Sequence, residues 1–324
     1  MPEIVGTCVE DDLINHTRIM DDHQLMYRKM FRGSNEPLSN IETEKARSEL
    51  NETDENRKSG IQELRDIMTE NEHTEFGKKL LEWFEPRKNE YLIRFLRARK
   101  YDVKKAYDLM KGYMKFREKY PGITDKLTCD SVRDLLENSF PGILPVRDKQ
   151  GRFVLIFSVG SWDSNVFSFE TVLRGYVFIL EQLLENEMAQ INGFVLIENF
   201  KNYSIAQALS LRPSDLKKMV DMLQGSFPAR FKGVHFIYQP WYFTWTYAVV
   251  KPFLKKKLAS RVHLHGYNLE KLFEAFDKTS LPEDFGGSGP PYDPHAMIAE
   301  LFAAAQDKDQ KELETRLDQF HIAD

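Results

Sequence analysis

The sequence predicts an α/β ligand-binding domain, with a mainly parallel sheet flanked by helices and a helical gate, preceded by a small all-α domain. Three observations carry this reading. Residues 40–140 are charged helical segments, each with one apolar face. From residue 149 onward, short apolar runs alternate with segments of helix length, the pattern of crossover units between parallel strands. Between Pro240 and Pro252 lies a stretch, Trp241 to Val250, that is apolar almost all round.

Residues 1–38 carry little periodicity and read as a weakly structured segment. Within it Met20, Leu25, Met26, Met30 and Phe31 suit a short amphipathic helix. Ser39 and Glu42 have capping-box spacing and open a charged helix to about Asn51. A second helix covers 53–70, with Ile61, Leu64, Ile67 and Met68 on one face. In 89–100, Leu92, Phe95 and Leu96 share a face while Arg94, Arg97 and Arg99 lie on others. Asp102 caps a helix to about Tyr120, striped by Val103, Ala106, Tyr107, Met110, Tyr113 and Met114, and Pro121-Gly122 stops it. A short helix near 131–137 completes a helical domain over 39–140.

A turn at 149–152 opens the second pattern. Strands are expected at 153–158, 193–198, 234–238 and 261–265, and helices at 169–187, 205–211 and 213–223. The run from Phe194 to Ile197 is apolar at every position, as a parallel strand covered on both faces requires. The ligand-binding domain therefore spans 141–295. A helical, highly charged tail without a packing pattern follows at 296–324.

The bulk numbers exclude several classes. Against 45 Lys and Arg stand 50 Asp and Glu, a net charge of −5, which argues against a nucleic-acid partner. Cys8 and Cys129 are far apart and outside any metal spacing, so a reducing cytoplasmic setting and no disulfide framework are expected. The first residues lack the basic and apolar regions of a signal peptide, and no stretch reaches the roughly 20 apolar residues of a membrane span. Membrane contact, if made, is peripheral. Hydrolase, nucleotide-loop and zinc-protease signatures are absent. Asp284-Phe285-Gly286 spells a kinase triplet without the rest of a kinase. His263 and His265 alternate on one strand and read as structural.

The Trp241–Val250 helix admits two readings. It is the buried centre of a large core, or it is a lid with one face over an apolar cavity and the other available to a bilayer. Pro252 ends it, and Lys255, Lys256 and Lys257 beside it suit anionic lipid. Leu216, Met219, Val220, Met222 and Leu223 add an adaptable methionine-bearing face. Glu198 closes the apolar strand. Buried, it must pair or keep its proton and then donate to a carbonyl or hydroxyl, with Tyr176 pointing at the same place; at the strand end it equally reaches solvent. Arg230, Lys232, Lys257 and Arg261 enter two strands at one edge of the sheet, with Arg99 a possible fifth member. They form either a phosphate-binding patch or a solvated cluster.

The phrases FLRARK (95–100), LEQLLENE (180–187), QINGFVLIENF (190–200), the long run 216–243, VVKPFLKKKL (249–258) and LPEDFGG (281–287) resemble the CRAL-TRIO lipid-binding family, in particular its retinaldehyde-carrying members. The likeness covers about residues 41–292. It implies a helical N-terminal domain, an α/β domain holding one hydrophobic ligand, and a mobile gate at about 238–261. Carried over by position, it implies a retinoid pocket of Phe157, Trp162, Tyr176, Phe194, Val195, Ile197, Glu198, Met219, Met222, Phe236 and Trp241, with Glu198 and Tyr176 at the retinoid's oxygen. It also implies an anionic-lipid site at Arg99, Arg230, Lys232, Lys257 and Arg261. Trp245 is bulkier than the pattern and narrows the pocket, and the C-terminus lacks the motif for PDZ capture. The expectation is a monomeric cytoplasmic carrier of 11-cis-retinal or 11-cis-retinol, without a cofactor or catalytic residue. It would touch anionic membranes transiently and deliver to retinoid-processing membrane enzymes. A phosphoinositide-binding transfer or trafficking protein with another ligand, and a retinoid isomerase using Glu198, are the alternatives.

Overall fold

The computed structural model describes residues 21–32 and 37–321. Eight helices come first: α1 (21–32), α2 (Asn40–Leu50), α3 (Asp54–Glu70), α4 (Glu75–Phe84), α5 (Asn89–Ala98), α6 (Val103–Lys119), α7 (Pro121–Thr124) and α8 (Arg133–Glu137). Ser39, Thr53, Thr74 and Asp102 cap α2, α3, α4 and α6 by accepting a first-turn backbone N–H. The sequence reading contains no helix at α4, where Thr74 provides the start and Leu80 and Phe84 bury the inner face.

The sheet has five strands in chain order: β1 (Gly142–Arg147), β2 (Phe153–Ser158), β3 (Phe194–Asn199), β4 (Phe231–Ile237) and β5 (Val262–Leu264). Strands β2 to β5 are parallel, and β1 joins β2 antiparallel at the edge. The sequence reading lacks β1 because Pro145 sits inside it. Its register breaks between Ile143 and Arg147, around the proline, and an edge tolerates the missing donor.

Helices α9 (Phe169–Leu183) and α10 (Glu187–Asn192) join β2 to β3. Helices α11 (Ile205–Ser210) and α12 (Pro213–Gly225) join β3 to β4, and α13 (Phe243–Val250) and α14 (Lys256–Ala259) join β4 to β5. The strands advance in one direction, so right-handed crossovers lay these helices on one face. Side-chain alternation divides the core accordingly. Phe153, Leu155, Phe157, Phe194, Leu196 and Val234 face the helices. Val154, Ile156, Val195, Ile197 and Ile237 face a second core closed by Leu269, Leu272, Phe276, Leu281 and Phe285, with Leu272 on α15 (Leu272–Ala275).

Two terminal segments depart from expectation. In α1, Tyr27, Met30 and Phe31 are buried while Leu25 and Met26 are exposed, and Tyr27 Oη donates to the Ile143 carbonyl at 2.8 Å. Met20 and Cys8 lie outside the described residues. In α16 (Pro294–His321), Met297, Ile298, Leu301, Phe302, Ala304 and Ala305 are buried. The first turns of that helix belong to the main core. An alanine-rich stripe beside charged residues offers too little contrast in hydropathy to reveal it.

A buried ion set joins the helical layer to the sheet domain. Arg97 is fully buried; it donates to both Glu52 oxygens at 2.6 and 2.7 Å, to Gln190 at 2.8 Å and to Glu187 at 3.0 Å. Arg94 lies over the Tyr91 ring and pairs with Glu185 at 3.1 Å, and Lys308 reaches the same carboxylate at 2.7 Å. Burial pushes Glu185's carboxyl up, but Arg94 and Lys308 hold it well below the usual carboxylate range. Removing Arg97 leaves the largely buried Glu52 carboxylate without its cation. Arg97→Ala is therefore expected to lower unfolding free energy by about 3–5 kcal/mol, read by urea denaturation.

Candidate functional site

Between the helix-bearing face of the sheet and helices α9, α12 and α13 lies a cavity with about 930 Å³ of empty space, counting its mouth. Strands β2, β3 and β4 contribute Phe157, Leu196, Glu198, Val234 and Phe236. Helix α9 contributes Phe169, Leu173 and Tyr176; α12 contributes Leu216, Met219, Val220, Met222 and Leu223. The segment after β4 supplies the roof with Phe243, Thr246, Tyr247, Val250, Leu254 and Leu258. The only polar side chains in this lining are Tyr176, Glu198, Thr246 and Tyr247.

Glu198 and Tyr176 form the cavity's polar end. Tyr176 Oη lies 3.0 Å from Glu198 Oε1. Glu198 retains some accessible surface, but that surface faces the cavity. Burial therefore pushes its carboxyl up to about 8, against a smaller lowering by the Tyr176 hydrogen bond. Burial, then the Glu198 charge, likewise raises the Tyr176 hydroxyl well above its ordinary value. At neutral pH the pair is a carboxylic acid beside a phenol, able to donate to an oxygen of an otherwise apolar ligand.

Of the predicted pocket residues, Phe157, Tyr176, Glu198, Met219, Met222 and Phe236 are brought together here. Five are not. Val195 and Ile197 lie on the opposite face of the sheet, since strand side chains alternate. Phe194 shares the cavity's face but sits at the other end of β3, between the Phe153 and Phe231 rings at 5.9 and 6.1 Å. Trp162 is buried one layer behind, its indole N–H on the Phe167 carbonyl at 2.8 Å and its ring against Phe169. Trp241 points outward and is 73% exposed. The sequence reading offered a lid and a methionine-bearing face, but the residue list carried over from the resemblance omits Phe243, Tyr247, Val250, Leu216, Val220 and Leu223. Their signal was present as apolar faces, without an indication of which face turned inward.

The gate's two faces are now distinct. Phe243, Tyr247 and Val250 point in, and Phe243 packs on Phe200 with ring centroids 4.6 Å apart. Trp241, Trp245 and Val249, spaced four apart, are exposed on the other side. Helix α11 sits beside them through the Tyr203–Tyr242 ring contact and adds exposed Ile205 and Leu209. The helix expected over Trp241–Val250 begins at Phe243. Pro240 and Trp241 form a turn instead, whose carbonyls accept from Phe243 and Thr244. Tyr238 opens the segment at φ 56°, a left-handed value uncommon outside glycine.

The five predicted cations also converge. Lys257 is lowered first by burial and then by the charges of Arg261, Arg99, Lys100 and Arg230. Arg230 is buried, donates to the Ile191 carbonyl and pairs with Glu49 at 2.9 Å; Lys232 reaches the same Glu49 oxygen at 3.1 Å. Arg261 donates to the Phe231 carbonyl and Arg99 to the Ala98 carbonyl. Glu49, from α2, is absent from the sequence reading of this patch because nothing local links residue 49 to residues 230–261.

The strand histidines gain a third member. His235 Nδ1 lies 3.0 Å from His265 Nε2, an imidazole-to-imidazole hydrogen bond, and His263 stacks on His235. Among the described residues no group of three or more His, Cys, Asp or Glu is placed to hold a metal. Also among them, no helix is long and apolar enough to cross a membrane.

The fold and site define an α/β domain whose apolar cavity is roofed by a helical gate. The comparisons agree: the CRAL/TRIO domain profile matches residues 137–287 and the CRAL/TRIO N-terminal domain profile matches 51–112. Clavesin-1 of Rattus norvegicus is 40% identical over 79% of this chain and 71% of its own length. Clavesin-2 of Homo sapiens is 36% identical over 85% and 82%. The crystal structure of Sfh5 superposes at a TM-score of 0.47 and 12% identity over 80% of this chain and 99% of its own. This chain belongs to the CRAL/TRIO family.

Glu198 sets a pH dependence. Its ordinary value is 4.5, and about 8 in the fold, so between those values the folded chain keeps a proton that the unfolded chain has lost. The associated stability is full below about 4.5 and declines as pH rises towards 8. Glu198→Gln cannot ionise. Its unfolding free energy is expected to vary less with pH across this window and to exceed wild type by roughly 2–3 kcal/mol at the alkaline end, measured by urea melts.

Proposed function

We propose that this protein is a lipid carrier that encloses a hydrophobic ligand with one polar end and exchanges it at membranes bearing anionic, phosphoinositide-type lipid. The observation that carries this reading is the gate. Helix α13 roofs the apolar cavity with Phe243, Tyr247 and Val250 and holds Trp245 and Val249 outside, and Trp241 in the turn before it is exposed beside them. Tryptophans left in water gain from transfer to the membrane interface, at about 25 cal/mol per Å² of apolar surface removed. Lys257 and Arg261 of the cation cluster follow in the same connection, so headgroup attraction and insertion act on one element. Release then consists of the gate leaving the sheet while its outer face is held by lipid. The carrier role requires no catalytic residue.

A retinoid is the second reading of the ligand. It is supported by the sequence phrases above and by the neutral Glu198–Tyr176 pair, which suits the oxygen of 11-cis-retinal or 11-cis-retinol. The relatives reported above are clavesins, which favours leaving the ligand class open to other lipids.

Two measurements test these readings. Trp241→Ala and Trp245→Ala are each expected to weaken sedimentation with anionic vesicles about threefold to tenfold, with wild-type tryptophan emission shifting to the blue on binding. Lys257→Ala is expected to cost about fivefold and to make binding less salt-sensitive. Equal binding by all variants overturns the membrane reading. Titration with 11-cis-retinal in the dark reads the second: a saturable, red-shifted band that Glu198→Gln moves supports the retinoid. A folded protein with no band points to another lipid, which native mass spectrometry of the purified protein identifies. Isomer analysis of the extracted ligand reads whether Glu198 assists isomerisation.

A further inference from the structure

The cation cluster already contains an anion, and it comes from the other domain. Glu49 lies in the last turn of α2. One of its oxygens, Oε2, takes both Arg230 at 2.9 Å and Lys232 at 3.1 Å, while the glutamate side chain is 39% exposed. Around it the balance is one-sided. Arg99 and Arg261 donate to backbone carbonyls, and among the described residues no ion pair within 4.0 Å joins Arg99, Lys257 or Arg261 to a carboxylate. Lys257 feels the charges of Arg261, Arg99, Lys100 and Arg230 together. A single carboxylate thus stands where an incoming anion meets Arg230 and Lys232.

We propose that Glu49 is a specificity-determining residue, a built-in carboxylate that an anionic headgroup must displace, so that the cluster accepts phosphomonoesters and rejects singly charged headgroups. This rests on the membrane reading given above. The reason is an exchange of charge. A headgroup of net charge about −1 that replaces Glu49 puts one charge where one already stood, and it leaves the carboxylate unpaired beside it. A phosphomonoester carries about −1.5 to −2 with three strong acceptor oxygens. It can hold Arg230 and Lys232 and still have oxygens for Arg261 or Lys257, in the bridging geometry that arginine favours. Glu49 converts attraction to any acidic surface into selection for phosphorylated inositol chemistry. The same chemistry is offered by a membrane lipid and by a soluble inositol phosphate.

The test uses the full chain and Glu49→Gln, whose amide oxygen still accepts from Arg230 and Lys232 and so preserves the fold contact. Binding is measured to charge-matched vesicles containing phosphatidylserine or a phosphatidylinositol bisphosphate, and to soluble inositol trisphosphate. Wild type is expected to prefer the bisphosphate vesicles. Glu49→Gln is expected to bind phosphatidylserine vesicles about fivefold more tightly, with a smaller gain on the bisphosphate, so the preference shrinks. Soluble inositol trisphosphate that binds wild type and competes with vesicles marks the soluble source as well as the lipid; binding to vesicles alone marks the lipid. An unchanged preference in Glu49→Gln, while Lys257→Ala and Arg261→Ala weaken vesicle binding, overturns the role of Glu49 and leaves the membrane reading standing. No effect of Lys257→Ala or Arg261→Ala on any vesicle overturns both.

Discussion

Strands β2 to β5 run parallel in chain order across the sheet, and the rest of the molecule depends on that advance in one direction. Because each crossover is right-handed, every connecting helix falls on the same face. The opposite face is closed by a thin apolar layer around Leu272, Phe276 and Phe285. The cavity lies on the helix-bearing side. The last crossover, between β4 and the short edge strand β5, carries α13 across the cavity and becomes the roof.

Two ways of burying charge coexist in this chain. At the end of β3, Glu198 has no cation beside it, so desolvation dominates and the carboxyl keeps its proton. Beside the sheet, Arg97 is buried as an ion because Glu52, Gln190 and Glu187 meet it with short, directed hydrogen bonds, and Arg94 is paired with Glu185. The first arrangement leaves a donor free for a guest molecule. The second spends its donors inside the protein and fastens the helical layer to α9 and α10. The cluster at Arg230 lies between these extremes, with one carboxylate for several cations.

The gate shows why an all-apolar helix need not be a core helix. Both of its faces are apolar because both meet apolar surroundings, the cavity inside and, in the reading proposed above, lipid outside. Water is then the medium it tolerates least. That makes its position on the sheet dependent on Phe200, Phe236 and Phe243 packing together rather than on a polar outer face.

The sequence by itself determined the class of fold, most element positions and the identity of the polar pair. Capped helices, apolar runs of strand length and the lone glutamate after Phe194–Ile197 are local patterns, and local patterns follow from backbone geometry and hydropathy. It also marked Arg230, Lys232, Lys257 and Arg261 as one patch, because chain entering neighbouring parallel strands must lie at one edge, and the resemblance added Arg99. Only the tertiary structure decided which apolar residues see the cavity. Val195 and Ile197 alternate away, Phe194 lies at the wrong end of its strand, and Trp241 faces outward from the turn before a helix with no polar side to orient it. It also supplied β1, hidden by Pro145, the buried stripe of α16, and Glu49, whose place beside Arg230 is set by domain packing across 181 residues of chain. Periodicity tells how a segment divides its faces; what each face meets depends on partners distant in sequence.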